Sequence, residues 1–373
     1  MKALSLLKQK SDNMRESGIE LLRIILMFQV VFLHICSYGG YYHHVTAFGD
    51  FQTFLYWLMM FLSRTPVYVY IVILGYFSVS SKSNQSIRSV LPKIKKMYIP
   101  MLFFSLTIPA VMLSTGAAPV KPETIISAFF PVLSRTWSFM TLYLIVILLS
   151  PFVNRCLNSI SKKEFTILIG ILFFIFSVWN MLGHLPNVKN VISVAGVINT
   201  DGGKGLYGYL FMYILGAYIR LHIKKHDKAK WRYLAVFAGI AVVNTVLVLL
   251  IPQYIYASMF NDNPGSVIQG ACLLLFFRDL KFKSRAVNHI ALLNLGVYMI
   301  HEHPLMRNFI WNNLFSFTND DSFYTVFPLY VFEALGICAL VFISCAVIEQ
   351  LRRGLFALAP MAVNKLRRIK NRT

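Results

Sequence analysis

The apolar positions of this chain fall into repeated runs of nearly twenty residues, and that spacing leaves few folds open. A helix rises 1.5 Å per residue, so ~20 apolar residues cross the hydrocarbon core of a bilayer with every backbone polar group satisfied inside the segment. Such runs occur near residues 18–38, 52–78, 98–115, 136–153, 165–183, 205–221, 233–251, 265–278, 289–311 and 325–350. The expected fold is therefore all-α: a polytopic integral membrane protein with about ten transmembrane helices. The polar stretches between the runs are too short to hold a separate domain. The chain divides into a basic N-terminal segment over 1–17, a membrane domain over 18–350 and a basic tail over 351–373.

Charge sets the orientation, because Lys and Arg accumulate in cytoplasmic loops. With the N terminus inside, the inside segments hold 29 of the 36 basic residues. The outside loops hold only Lys121, Arg135, Lys189 and Lys204, alongside Asp50, Glu123, Asp201, Asp262, Asp320 and Asp321. Both termini are expected in the cytoplasm, in a multi-pass protein of the plasma membrane. The net charge of +21 is then a signal of topology and of contact with anionic membrane lipids, not of nucleic-acid binding. The first apolar run is too long for a cleaved signal peptide, contains Arg23 and lacks a small-residue cleavage site after it. It is expected to stay as a helix.

Two ionisable residues sit inside that first run, Arg23 and His34. Eleven helical steps turn about 1,100°, close to three full turns, and rise about 16 Å, so both side chains share one face. A cation and an imidazole in hydrocarbon are costly unless they face a protein interior or a polar cavity, which makes this face a candidate functional site. Glu20 lies one turn before Arg23 and can pair with it. Arg64 lies well inside the second run, where topology does not explain it; it either snorkels to the interface or lines a cavity. Arg135 and Trp137 mark the outer start of the fourth run, where Trp serves equally as interfacial anchor or as a stacking surface for a sugar. His301 and Glu302 fall halfway along a later run, a depth suited to completing a polar cavity or to orienting His34.

No metal site is expected, since the histidines form no HExxH pattern and the five cysteines no CxxC. The cysteines read as buried small apolar residues.

Several of these segments together resemble a known family. The stretch RESGIELLRIILMFQVVFLH is similar to the opening helix of the acyltransferase-3 group of integral-membrane acyltransferases, in which an Arg and a His are separated by ten residues, here Arg23 and His34. Pro66 with Gly75 and Tyr76 resembles the second-helix pattern; Lys93, Lys96 and Pro100 resemble the start of the third; Trp137, Tyr143 and Pro151 resemble the fourth; and LGVYMIHEHP resembles the late segment ending in His, here His301. Lys stands at 93 and 96 where the family often has Arg, and a lysine lacks the bidentate fork of a guanidinium.

The resemblance implies transfer of an acyl group, with no tightly bound cofactor and acetyl-CoA as donor. The acceptor it implies is a hydroxyl of a cell-surface or lipid-linked carbohydrate, most simply in polysaccharide O-acetylation at a bacterial surface. Such chemistry needs a base for the hydroxyl proton, a role suited to His34, and Arg23 would guide the donor toward it. Lys93, Lys95 and Lys96 would meet the donor phosphates, although they also satisfy the inside charge rule unaided. Glu20, Arg64, Arg135, Trp137, Tyr143, His301 and Glu302 are candidates for the acceptor site or cavity. A transporter or flippase for a glycan or lipid is the rival reading, since it too needs many helices and buried polar groups. The acceptor, the route through or without an acyl-enzyme, and the oligomeric state stay open.

Overall fold

A computed structural model describes residues 16–39, 50–81, 86–117, 119–185, 188, 191, 203–225, 230–251, 254, 262–315 and 329–370. The basic residues expected inside at 2–15, and Lys189, Asp201, Asp320 and Asp321 expected outside, lie beyond these. Every regular element described is helical. In chain order they are α1 (Gly18–Tyr38), α2 (Asp50–Leu62), α3 (Pro66–Ser78), α4 (Ile87–Thr115), α5 (Pro122–Ala128), α6 (Ser138–Ser159) and α7 (Lys162–Phe173). Then follow α8 (Leu206–His222), α9 (Lys230–Leu250), α10 (Pro264–Arg278), α11 (Arg285–Ala291), α12 (Asn294–His301), α13 (Pro304–Asn308) and α14 (Leu329–Lys370). A π-helical stretch, Phe174–Trp179, carries α7 on toward Leu182, and another, Phe309–Leu314, follows α13.

Among the described residues, seven helical stretches are long and apolar enough to cross a membrane: Gly18–Tyr38, Thr53–Ser78, Ile87–Thr115, Ser138–Ser159, Lys162–Leu182, Lys230–Leu250 and Phe332–Leu358. The other three expected crossings fall on α8, with 17 residues, on α10, with 15, and on a segment that is not one helix. The run at 289–311 is broken into α11, α12 and α13. Pro304 explains the second break: it lacks an amide hydrogen and disfavours helical backbone in the residue before it, and His303 is extended, with φ −59° and ψ 131°. His303 then caps α13, its Nδ1 accepting from the Leu305 amide. The run at 52–78 is likewise interrupted at residues 63–65, before Pro66. The helix expected from 98 starts at Ile87, and the last one continues through the basic tail to Lys370.

Two apolar cores flank α1. Leu22 and Leu26 pack into one with α3, α8 and α10, through residues such as Ile71, Val72, Tyr213 and Leu274. Val31, Phe32 and Ile35 pack into the other with α4, α6, α12 and α14, through Met101, Phe104, Met140, Met299 and Cys338. α1 is thus the shared wall of two compartments. Four cysteines are buried as expected of small apolar residues, but Cys156 is exposed on α6.

α3 and α8 approach backbone to backbone. A Cβ at Gly75 would sit 2.0 Å from the Tyr213 carbonyl oxygen, and one at Gly216 would sit 2.0 Å from that of Val72. Without a hydrophobic drive between helices in lipid, such small-residue contacts let dispersion and backbone packing hold the pair. A third contact of this kind ties α12 to α14, since a Cβ at Gly296 would collide with the buried side chain of Glu349. Glu349 in turn forms a two-point ion pair with Arg352, at 2.7 Å for each bond. Replacing Gly75 or Gly216 by Val is expected to force α3 and α8 apart and destabilise the protein by about 1–3 kcal/mol or more. A lowered midpoint of thermal unfolding in detergent checks this, and an unchanged midpoint would show that the contact is not close.

Candidate active site

Arg23, Met27, Val30, His34 and Tyr38 succeed each other along α1 at helical spacing and line one wall of a cavity of about 650 Å³. Val67 and Tyr70 of α3, Met97 of α4, Phe139, Met140 and Tyr143 of α6, and Tyr209 of α8 form the sides. The broken segment supplies residues from Ala291 to Arg307, and Arg135, Thr136, Ser138 and Lys204 complete the wall. The eleven-residue separation of Arg23 and His34 makes the cavity about 16 Å long between these two groups.

At one end Arg23 points a single terminal nitrogen at both carboxylate oxygens of Glu20, at 2.8 and 2.9 Å. Glu20 is buried, so the guanidinium is neutralised where it stands. The Arg23 backbone carbonyl accepts from the Tyr70 hydroxyl at 2.7 Å, which fixes α1 against α3 at this level.

At the other end His34 meets His301 and Glu302. His34 Nδ1 lies 3.1 Å from His301 Nε2 and 3.1 Å from Glu302 Oε2. His301 is fully buried, and its Nδ1 lies 2.5 Å from the Val297 carbonyl oxygen. A carbonyl can only accept, so His301 Nδ1 carries a hydrogen; in the neutral ring its Nε2 is then an acceptor. The hydrogen between the two rings therefore belongs to His34 Nδ1. The free lone pair of His34 is left on Nε2. Arg307 holds the other oxygen of Glu302 at 3.2 Å and donates to the Tyr38 hydroxyl at 3.3 Å, its guanidinium lying 4.6 Å from the Tyr38 ring centre.

The ligand atoms of His34, His301 and Glu302 all lie within 4.8 Å of one another, a donor set a divalent cation could use. The 3.1 Å contact between the ring nitrogens is a hydrogen bond already made, which a cation would have to break.

Of the other residues expected at the site, Arg135, Tyr143 and Glu302 line the cavity. His301 stands behind His34 rather than in the wall. Trp137 is also behind the wall: it is 1 % exposed, donates its indole N–H to the Met299 carbonyl at 3.1 Å, and meets the His303 ring edge-on. It anchors the broken segment and has no face open to a sugar. Arg64 lies partly buried in the α2–α3 break beside Tyr56 and Tyr68, outside the cavity wall. Lys93, Lys95 and Lys96 are exposed on α4 and do not line it; Met97, the next residue, does.

Sequence reasoning missed Tyr38, Lys204 and Arg307, all in the wall. Tyr38 continues the stripe one turn past His34, a signal that was present. Arg307 lies three residues past Pro304, where its direction depends on a break that the apolar run conceals. Arg135 has a left-handed backbone, φ 54°, which costs a residue with a side chain about 1–2 kcal/mol.

A many-helix membrane body in which a half-buried histidine faces a cavity, with a fully buried one bonded behind it, defines a membrane-embedded enzyme more readily than a scaffold. The chain belongs to the acyltransferase-3 family: the family's acyltransferase domain matches residues 16–349. It is a membrane acyltransferase. No curated protein and no solved structure matches the chain.

Trp137→Phe keeps an aromatic ring but removes the indole N–H and part of a buried ring, leaving the Met299 carbonyl short of a donor and a small cavity beside it. The expected loss is at least about 1–2 kcal/mol from the bond, with the cavity adding to it, seen as a lower melting temperature at unchanged membrane insertion. An unaltered melting temperature would remove Trp137 as the anchor of the broken segment.

Proposed function

We propose that the protein moves an acetyl group from cytoplasmic acetyl-CoA to a hydroxyl of a cell-surface or lipid-linked carbohydrate, with His34 as general base. The observation that carries this reading is the hydrogen-bond chain from the Val297 carbonyl through His301 to His34, which leaves a lone pair on His34 Nε2. The accepting hydroxyl oxygen attacks the thioester carbonyl while its proton passes to Nε2. The imidazolium so formed has Glu302 Oε2 3.1 Å from its Nδ1, a carboxylate placed to stabilise it and to hold the ring. When the tetrahedral intermediate collapses, the carbon–sulfur bond breaks, and the proton on Nε2 goes to the departing thiolate. The products are the ester and free coenzyme A.

Two further groups fit this course. Tyr38 accepts from Arg307 through its oxygen and retains its own hydrogen, which suits it to meet the developing oxyanion. At the other end, Arg23 and the exposed Lys93, Lys95 and Lys96 would receive an anionic donor from the cytoplasmic side that the charge distribution assigns to the N-terminal end of α1. The thioester would then reach along the cavity to His34, and the acyl group alone would pass between the two compartments.

In cells producing matched membrane levels of protein, NMR of surface glycans is expected to show O-acetyl signals with the native chain. His34→Ala should reduce them by about 10²–10⁴-fold, the range typical of a lost general base. Unchanged acetylation in that variant would sink the role of His34. In membranes, saturating EDTA should leave the transfer rate unaltered; loss of rate restored by Zn²⁺ would recast the two histidines and Glu302 as metal ligands.

A further inference from the structure

The His34 end of the cavity is cationic beyond what acyl transfer requires. Arg135, Lys204 and Arg307 line it, and Glu302 is the only carboxylate in the described wall. Arg307 already pairs with Glu302. Arg135 and Lys204 form no ion pair with any described residue, although Lys204 is near enough to Glu302 and His34 to act on their charge; beyond Arg23 the described wall holds three cations against one carboxylate. The far end is different, because Glu20 neutralises Arg23. The charge asymmetry runs along the cavity toward the side on which an acceptor would enter.

Arg135 is also held in place by its own segment. Its left-handed backbone is fixed by the Arg135 amide donating to the Val132 carbonyl at 3.2 Å and by the Thr136 amide donating to Pro131 at 3.2 Å. The neighbouring Ser134 and Thr136 hydroxyls share a hydrogen bond at 2.9 Å, and Ser134 also reaches the Ser127 carbonyl at 3.3 Å.

We propose that the acceptor is an anionic glycan, whose phosphate or carboxylate seats between Arg135 and Lys204 while a neighbouring hydroxyl meets His34 Nε2. The inference rests on the acyltransferase reading with the donor entering at the Arg23 end. A neutral sugar offers these cations no opposite charge, whereas an anion receives charge-assisted hydrogen bonds and is steered in by the field. The same cations would lower the affinity of the mouth for other positively charged molecules and so contribute to selectivity.

Membranes holding the native chain, His34→Ala, or the double variant Arg135→Gln/Lys204→Gln are incubated with radiolabelled acetyl-CoA. The products are separated into organic-soluble and aqueous fractions, freed of unreacted acetyl-CoA by gel filtration and, in the organic fraction, released from any lipid phosphate by mild acid, before each labelled glycan is passed over an anion exchanger. Label retained by the exchanger and absent with His34→Ala is expected; the organic fraction would identify a lipid-linked anionic glycan, the aqueous fraction a released polysaccharide. With limiting glycan, the double variant should incorporate at least tenfold less, with a raised half-saturation for glycan and not for acetyl-CoA, and Arg135→Lys in place of Arg135→Gln should recover part of the loss.

Label in the neutral flow-through would overturn the anionic acceptor and leave the acyltransferase reading standing. A double variant that raises the half-saturation for acetyl-CoA instead would make the mouth a donor site and overturn the proposal. Equal label with the native chain and His34→Ala would overturn the role of His34 itself, and the proposal would fall with it.

Discussion

One hydrogen bond joins the two ends of the membrane domain: His34 on α1 donates to His301 on α12, 267 residues later in the chain. Its cost if left unmade explains much of the surrounding architecture. An imidazole facing hydrocarbon without a partner is expensive, so the segment carrying His301 must reach the level of His34 and present a ring nitrogen there. α12 can do so only because the segment breaks on both sides, which frees Glu302 and Arg307 to turn toward the same cavity. The Trp137 indole fixes α12 through Met299, and Glu349 fills the space against Gly296. Each contact limits where His301 can stand, and so where the lone pair of His34 points.

The position of α1 between two apolar cores serves the same end. Leu22 and Leu26 belong to one core and Val31, Phe32 and Ile35 to the other, so the helix is gripped on both flanks. Only the stripe from Arg23 to Tyr38 is left for the cavity. Polar chemistry is thereby confined to one seam of an otherwise apolar helix, and the side chains along it cannot rotate into lipid without unpacking a core.

Much of this was legible in the residues. Apolar runs of bilayer length mark the seven long spans, and the Arg23 to His34 spacing fixes their common face without reference to any other helix. Glu20 falls within one turn of Arg23, and the ion pair follows from that spacing alone. The runs were less informative where polar groups or prolines interrupt them from within. The run at 289–311 is apolar enough to suggest one crossing, yet Pro304 divides it, and the direction of Arg307 follows from the break. Trp137 illustrates a different limit: a tryptophan at the start of a membrane helix suits an interface, a sugar or a buried anchor, and only the position of Met299 distinguishes them. The charge rule assigns Lys204 to an outside loop, but its approach to the His34 end depends on tertiary folding that no local pattern records.

The long separation between His34 and His301 also has a meaning in time. At ~5–20 residues per second, a ribosome needs on the order of tens of seconds to pass from one histidine to the other. During that interval α1 can already lie in the bilayer with its imidazole lacking the partner it has in the finished fold. The polar seam that lines the finished cavity is, for that period, a surface that an insertion factor or a helix made before α12 must shelter. Biogenesis and the finished fold therefore place opposite demands on the same side chain: hidden while the chain is being made, and facing a cavity once α12 arrives.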